Sequence, residues 1–65
     1  MTGKDVIRKL LSAGFMLDRI NGSHHILVKP GQFSISVPVH GNRDLGIGLL
    51  KALERRTGVK LRGQE

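Results

Sequence analysis

Phe33-Ser34-Ile35-Ser36-Val37-Pro38-Val39 decides the fold of this chain. Apolar residues at 33, 35, 37 and 39 alternate with Ser34, Ser36 and Pro38. Neighbouring side chains on a strand point to opposite faces, so a period of two predicts a strand with one buried and one polar face. Pro38 has no amide hydrogen to give a sheet and fits a strand end or an edge. Upstream, Pro30-Gly31 marks a turn, and His24 to Lys29 reads as another strand. Asn21-Gly22-Ser23 is a hairpin signal, because Gly22 can turn the backbone tightly. Phe15 to Ile20 then reads as the first strand of that hairpin.

Helical spacing flanks the three strands. Val6, Ile7, Leu10 and Leu11 recur at the helical period. Thr2 is an N-cap and Asp5, three residues on, approximates a capping box. Gly14 ends this helix, predicted over residues 3–13, and Phe15 can pack back on its last turn. After the polar loop His40-Gly41-Asn42-Arg43-Asp44, Leu45, Leu49, Leu50 and Leu53 form a second apolar stripe. Asn42 and Asp44 are both plausible N-caps for it, and Gly58 is its natural C-cap. Gly46 and Gly48 weaken the first turn, each by roughly 1 kcal/mol relative to alanine. Glycine there permits close packing on the sheet or close approach of backbone to a ligand. Lys60 to Glu65 carries little apolar content and is expected to fray.

The order helix, three strands, helix predicts an α+β chain, α-β-β-β-α. Its three-stranded antiparallel sheet should carry both helices on one face. Residues 1–65 read as a single domain, with no linker, repeat or low-complexity segment. A chain this short buries only about 60% of its unfolded surface, so the core is thin. There is no cysteine to brace it. No apolar run approaches membrane-spanning length and no signal-peptide core is present, so a cytosolic protein without membrane contact is expected.

Eleven Lys and Arg against five Asp and Glu leave a net charge of +6. That excess points to nucleic acid or an acidic partner, although solubility alone also explains a basic small domain. Phe15 and Phe33 are the sole aromatics, which argues against base stacking as the mode of RNA recognition. Phosphate and 2′-hydroxyl contacts should dominate instead. Arg55, Arg56, Lys60 and Arg62 form a basic run that reads equally as a solvated face or an RNA contact.

Gly22-Ser23-His24-His25 carries the candidate chemistry. Cleaving RNA without a metal needs a group that takes a proton from the 2′-hydroxyl or returns one to the leaving 5′ oxygen. Histidine suits that task, with a reference pKa of about 6.5. The crowded phosphorane also needs cations or hydrogen-bond donors, and Lys4, Lys29 and Arg43 are candidates. A histidine at a strand start is more often a turn or surface residue than a catalyst. His24 shares a face with Ile26 and Val28, and His25 shares the other with Leu27 and Lys29; both faces carry apolar residues, so the sequence leaves open which one meets the helices. Opposed side chains make His24 and His25 poor joint ligands, and no cysteine or carboxylate cluster completes a site. Neither metal nor cofactor is expected. Ser23 reads as a turn residue, without the surroundings of a catalytic nucleophile. His40 either braces the loop before the last helix or offers a second acid or a phosphate contact.

The chain resembles the HicA toxins, small messenger-RNA interferases of toxin–antitoxin systems. The likeness rests on Gly14-Phe15, on Gly22-Ser23-His24-His25-Ile26, and on Val37-Pro38-Val39-His40 leading through Gly41-Asn42 to Gly48-Leu49-Leu50. The resemblance implies a double-stranded RNA-binding-domain-like fold, which is the helix–strand order found above. It implies cleavage of messenger RNA with His24, the histidine after Gly-Ser, as the catalytic residue. The partners it implies are RNA and the antitoxin HicB, which covers the active surface. Ser23, His25, His40, Lys4, Lys29 and Arg43 are then candidate RNA contacts. Leu27 and Leu49 depart from the family pattern, where an aromatic and a threonine are common. A non-catalytic double-stranded-RNA-binding module is the alternative, and a degenerate toxin kept to bind its antitoxin a third.

Overall fold

The computed structural model describes residues 1–62. Its elements are α1 (Gly3–Ser12), β1 (Met16–Asn21), β2 (His24–Val28), β3 (Ser34–Pro38) and α2 (Ile47–Thr57). The strands form one antiparallel sheet in the order β1-β2-β3, with β2 central. The α+β arrangement expected from the sequence is therefore the observed one. The second strand begins at His24 as expected, and every other strand boundary shifts by one residue. Phe33 drops out of the third strand, and its ring instead meets Phe15 edge-on, with centroids 6.4 Å apart.

α1 begins on a reciprocal cap. The Asp5 amide donates to Thr2 Oγ1 at 3.2 Å, and the Thr2 amide donates to Asp5 Oδ2 at 2.9 Å. The Thr2 amide first, then the Thr2 hydroxyl and the Arg8 guanidinium, hold the Asp5 carboxyl below its ordinary pKa. The helix closes at Ala13, followed by Gly14 at φ 103°. The Phe15 amide donates back to the Leu10 carbonyl at 3.0 Å, and Phe15 is buried as expected.

Val6 and Leu10 of α1, Leu50 and Leu53 of α2, and Leu27, Ile35 and Val37 of the sheet belong to one core. Both helices thus lie against the same sheet face. Leu17 and Ile20 of the edge strand β1 stay about half exposed, at 46% and 56%.

α2 starts later than its stripe suggests. Neither Asn42 nor Asp44 caps it; Gly46 is the N-cap, with no side-chain bond. Asp44 is diverted to the Met1 ammonium, 3.0 Å away, and forms a short antiparallel bridge with Thr2. The Leu45 amide donates to the Met1 carbonyl at 2.8 Å. This extended pairing holds residues 44–45 out of the helix. Nor do Gly46 and Gly48 serve close packing, since a Cβ at either would meet open space. The glycine that needs its hydrogen is Gly3, where a Cβ would collide with the Pro38 carbonyl oxygen.

The tail corrects a second expectation. Leu61 is 1% exposed and completes the core. The Leu61 and Arg62 amides donate to Glu54 Oε2 at 2.7 and 2.8 Å, and Arg62 Nε donates to Glu54 Oε1 at 2.7 Å. One carboxylate from α2 thus fixes the chain that follows Gly58, whose φ of 74° ends the helix. Fraying is not what residues 60–62 show; residues 63–65 of the expected frayed tail lie outside the described residues.

Two outcomes follow. Gly3→Ala should destabilise by about 1–3 kcal/mol, the usual cost of overpacking, read as a lower melting temperature by circular dichroism. The Arg62 amide and guanidinium, with the Leu61 amide, depress the Glu54 carboxyl from 4.5 to about 2. A depressed carboxylate stabilises above its free pKa and loses that contribution as pH falls through the folded one. The Leu61 and Arg62 amide resonances should therefore hold their positions down to pH 4.5 and shift together as pH falls towards 2, in a proton–nitrogen NMR titration.

Candidate nucleic-acid interface

Three segments meet at one end of the sheet. The Gly22-Ser23 turn joins β1 to β2, with Asn21 and His24 as its closing pair. Gly22 takes φ 63° while Ser23 does not take a positive φ, the sign pattern of a type II′ hairpin turn. The Val39 amide donates to the Ser23 carbonyl at 2.7 Å, which ties the end of β3 to that turn. Gly3 brings the start of α1 against Pro38, and Pro38 pairs with His24.

Lys4, Ser23, His24, His25 and His40 are consequently carried by segments that converge at this end. Arg43 follows in the loop that leaves it, its amide donating to the His40 carbonyl at 3.1 Å. Lys29 is elsewhere. It lies five residues along from His24, roughly 16 Å at strand rise. Its ammonium sits 5.4 Å from the centre of the Phe15 ring.

Register settles the question of faces. Residues opposite one another on neighbouring strands share a face. His25 and Leu27 lie opposite Ile20 and Leu17 on β1, and opposite Val37 and Ile35 on β3. Leu27, Ile35 and Val37 are core residues, so His25 is on the helix side. His24, Ile26 and Val28 are on the face turned away from the helices. His24 is exposed there and His25 only half-buried. The two imidazoles project to opposite sides of the sheet.

Several residues outside the sequence-derived set share the His24 face, and two of them, Arg19 and Ser36, flank His24 diagonally. Arg19 lies opposite Ile26 on β1, and Ser36 lies opposite Ile26 on β3. Each is thus diagonal to His24, at a typical Cα separation of about 7 Å. A bulge between Leu17 and Arg19 makes Asp18 the extra residue of β1. Arg19 Nη1 donates to Asp18 Oδ2 at 2.6 Å. Counting back two positions from Asn21 would have found Arg19, had the two-residue turn been taken as fixed.

His25 Nδ1 is buried and has no hydrogen-bond partner among the described residues. Only Nε2 is therefore left for an outside contact. A groove of about 620 Å³ runs along α1 to the tail, lined by Asp5, Arg8, Lys9, Ser12, Val59 and Lys60 among others. Lys60 of the C-terminal basic run lines it, whereas His24, Lys4, Ser23, His25, Lys29, His40 and Arg43 do not.

A buried polar atom without a partner costs about 1–3 kcal/mol. His25→Leu should accordingly raise the melting temperature, whereas His24→Leu, on the exposed side, should leave it nearly unchanged. Parallel thermal melts of the two variants check this.

Among the described residues, no helix is long and apolar enough to cross a membrane. No curated protein matches the chain. A family model described as the HicA toxin of bacterial toxin–antitoxin systems matches residues 3–59 of the 65. That span takes in both helices, all three strands, the Gly22-Ser23 turn, His24 and the six candidate RNA contacts Lys4, Ser23, His25, Lys29, His40 and Arg43. The chain belongs to the HicA toxin family.

Proposed function

We propose that this toxin is an endoribonuclease that cuts messenger RNA through His24, and that a HicB antitoxin neutralises it by covering that surface. The observation that supports this most directly is the setting of His24. Its imidazole is exposed on a helix-free sheet face, at the mouth of a tight turn, in a chain of net charge +6. A phosphodiester can reach it without any rearrangement of the core.

In this reaction His24 acts as general base on the ribose 2′-hydroxyl. The 2′ oxygen bonds to phosphorus as the bond to the 5′ oxygen breaks. The products are a 2′,3′-cyclic phosphate and a 5′-hydroxyl, whose proton comes from water. His24 then returns its own proton to solvent. Phosphate contacts come from Lys4 and Arg43 at the same end of the molecule, with Ser23 and His40 as hydrogen-bonding groups beside the turn. Lys29, just beyond the far end of β2, meets the RNA at a distance from the cut. His25 takes part through Nε2 alone.

The purified protein should cleave RNA in the presence of EDTA and leave cyclic-phosphate ends. His24→Ala should retain the fold and lose at least about 100-fold in rate, within the range of a general-base contribution. Gel analysis of labelled RNA gives the rate, and mass spectrometry identifies the ends. Equal cleavage by the variant removes His24 from the reaction. Tight, salt-sensitive binding without strand scission by the native chain would establish the non-catalytic RNA-binding reading instead.

A further inference from the structure

We propose that the helix-free face of the sheet is a platform for single-stranded RNA, on which Arg19 holds the scissile phosphate beside His24. The assignment of the phosphate rests on the nuclease reading of His24; the platform itself is a matter of binding. Among the strand positions on this face, Arg19 is the one Lys or Arg. The other candidate cations come from elsewhere: Lys4 from the first turn of α1, Arg43 from the loop after β3, Lys29 from beyond the far end of β2.

The β1 bulge equips Arg19 for this role. Bulges beside functional sites re-aim side chains, and here the extra residue is itself a carboxylate that holds the guanidinium by one N–H at 2.6 Å. Both partners are solvent-exposed, at 66% and 48%, so the pair adds little stability. What it does is orient. A guanidinium carries five N–H donors in a planar fork, so donors remain to grip a phosphate in the bidentate manner that arginine favours. As negative charge builds on the non-bridging oxygens, those bonds strengthen. Ser36, diagonal to His24 on the other side, offers a hydroxyl to the same strand.

Size and chemistry both favour a single strand. Three strands spaced about 4.8 Å apart give a face only about 10 Å across. A duplex is read by shape across two successive minor grooves and the phosphates between them, more than one face of that width can span. Attack by the 2′ oxygen also requires it to line up opposite the departing 5′ oxygen, a geometry that regular A-form stacking withholds and a splayed strand can adopt. The face bears no aromatic residue. Ile26 and Val28, half-buried, and exposed Met16 offer bases an apolar floor without a hydrogen-bond code, so binding should tolerate many sequences.

The test uses full-length His24→Ala, which should bind without cutting, and a labelled 12-nucleotide RNA presented either alone or annealed to its complement. Fluorescence anisotropy should show single-strand binding at least about tenfold tighter than duplex binding. Adding Arg19→Ala should weaken single-strand binding by about tenfold and reduce the salt slope by about 0.7, one phosphate contact. Arg19→Lys should restore the slope but little of the cleavage rate when His24 is present, since a point charge replaces a fork. Circular dichroism melts confirm that each variant folds. Equal affinity for both RNAs, or no effect of Arg19→Ala on binding, overturns the platform, whatever His24 does. If single-strand binding depends on Arg19 but the native chain cuts nothing, the nuclease reading fails and the platform stands.

Discussion

The two-residue turn at Gly22-Ser23 fixes the register on which everything else depends. With Asn21 and His24 as the closing pair, each later residue of β2 is assigned a partner and a face. Because side chains alternate, a slip of one residue would exchange Leu27 for Ile26 in the core and drive His24 under the helices. A positive φ at Gly22 is what makes so short a connection possible. The bulge at Asp18 works with the turn. It absorbs one residue, so that Arg19 and Asn21 stay on the face of His24 while Leu17 stays opposite Leu27.

Among the described residues the core has nine buried side chains, a small number, and polar clamps at the chain ends supplement it. Thr2 and Asp5 close the start of α1, Asp44 receives the Met1 ammonium, and Glu54 holds Leu61 and Arg62. Each clamp uses a carboxylate to satisfy donors that would otherwise face water or each other. Three of the five acidic residues are committed in this way, and a fourth, Asp18, binds Arg19. The excess positive charge of the chain is therefore left to act outward.

The sheet divides labour between its faces. One side, carrying Leu27, Ile35 and Val37, is spent on the core. The other has no helix over it and keeps an exposed histidine, an arginine and two serines in register. His25 pays for its place on the packed side with an unpartnered ring nitrogen, a cost that falls outside the general rule that buried polar groups find partners. Two adjacent histidines thus have unlike surroundings because strand geometry gives neighbours opposite directions, and this is what singles out His24 within an otherwise symmetric-looking pair.

Local patterns in the sequence determined the elements: alternation from Phe33 to Val39, the Asn21-Gly22-Ser23 turn, the Thr2 cap and the leucine stripes. Such signals depend on near neighbours, so they are legible without a fold. They also drew attention to His24, through the turn that precedes it. Tertiary structure alone decided which side of β2 meets the helices, since both sides carry apolar residues and only the placement of α1 and α2 breaks the tie. It also decided that Asp44 pairs with the N-terminus instead of capping α2, that Leu61 is core, that Gly3 and not Gly46 is the tight glycine, and that Arg19 neighbours His24. In each case the partner is distant in sequence or set by a bulge, and a contact of that kind leaves no periodic trace along the chain.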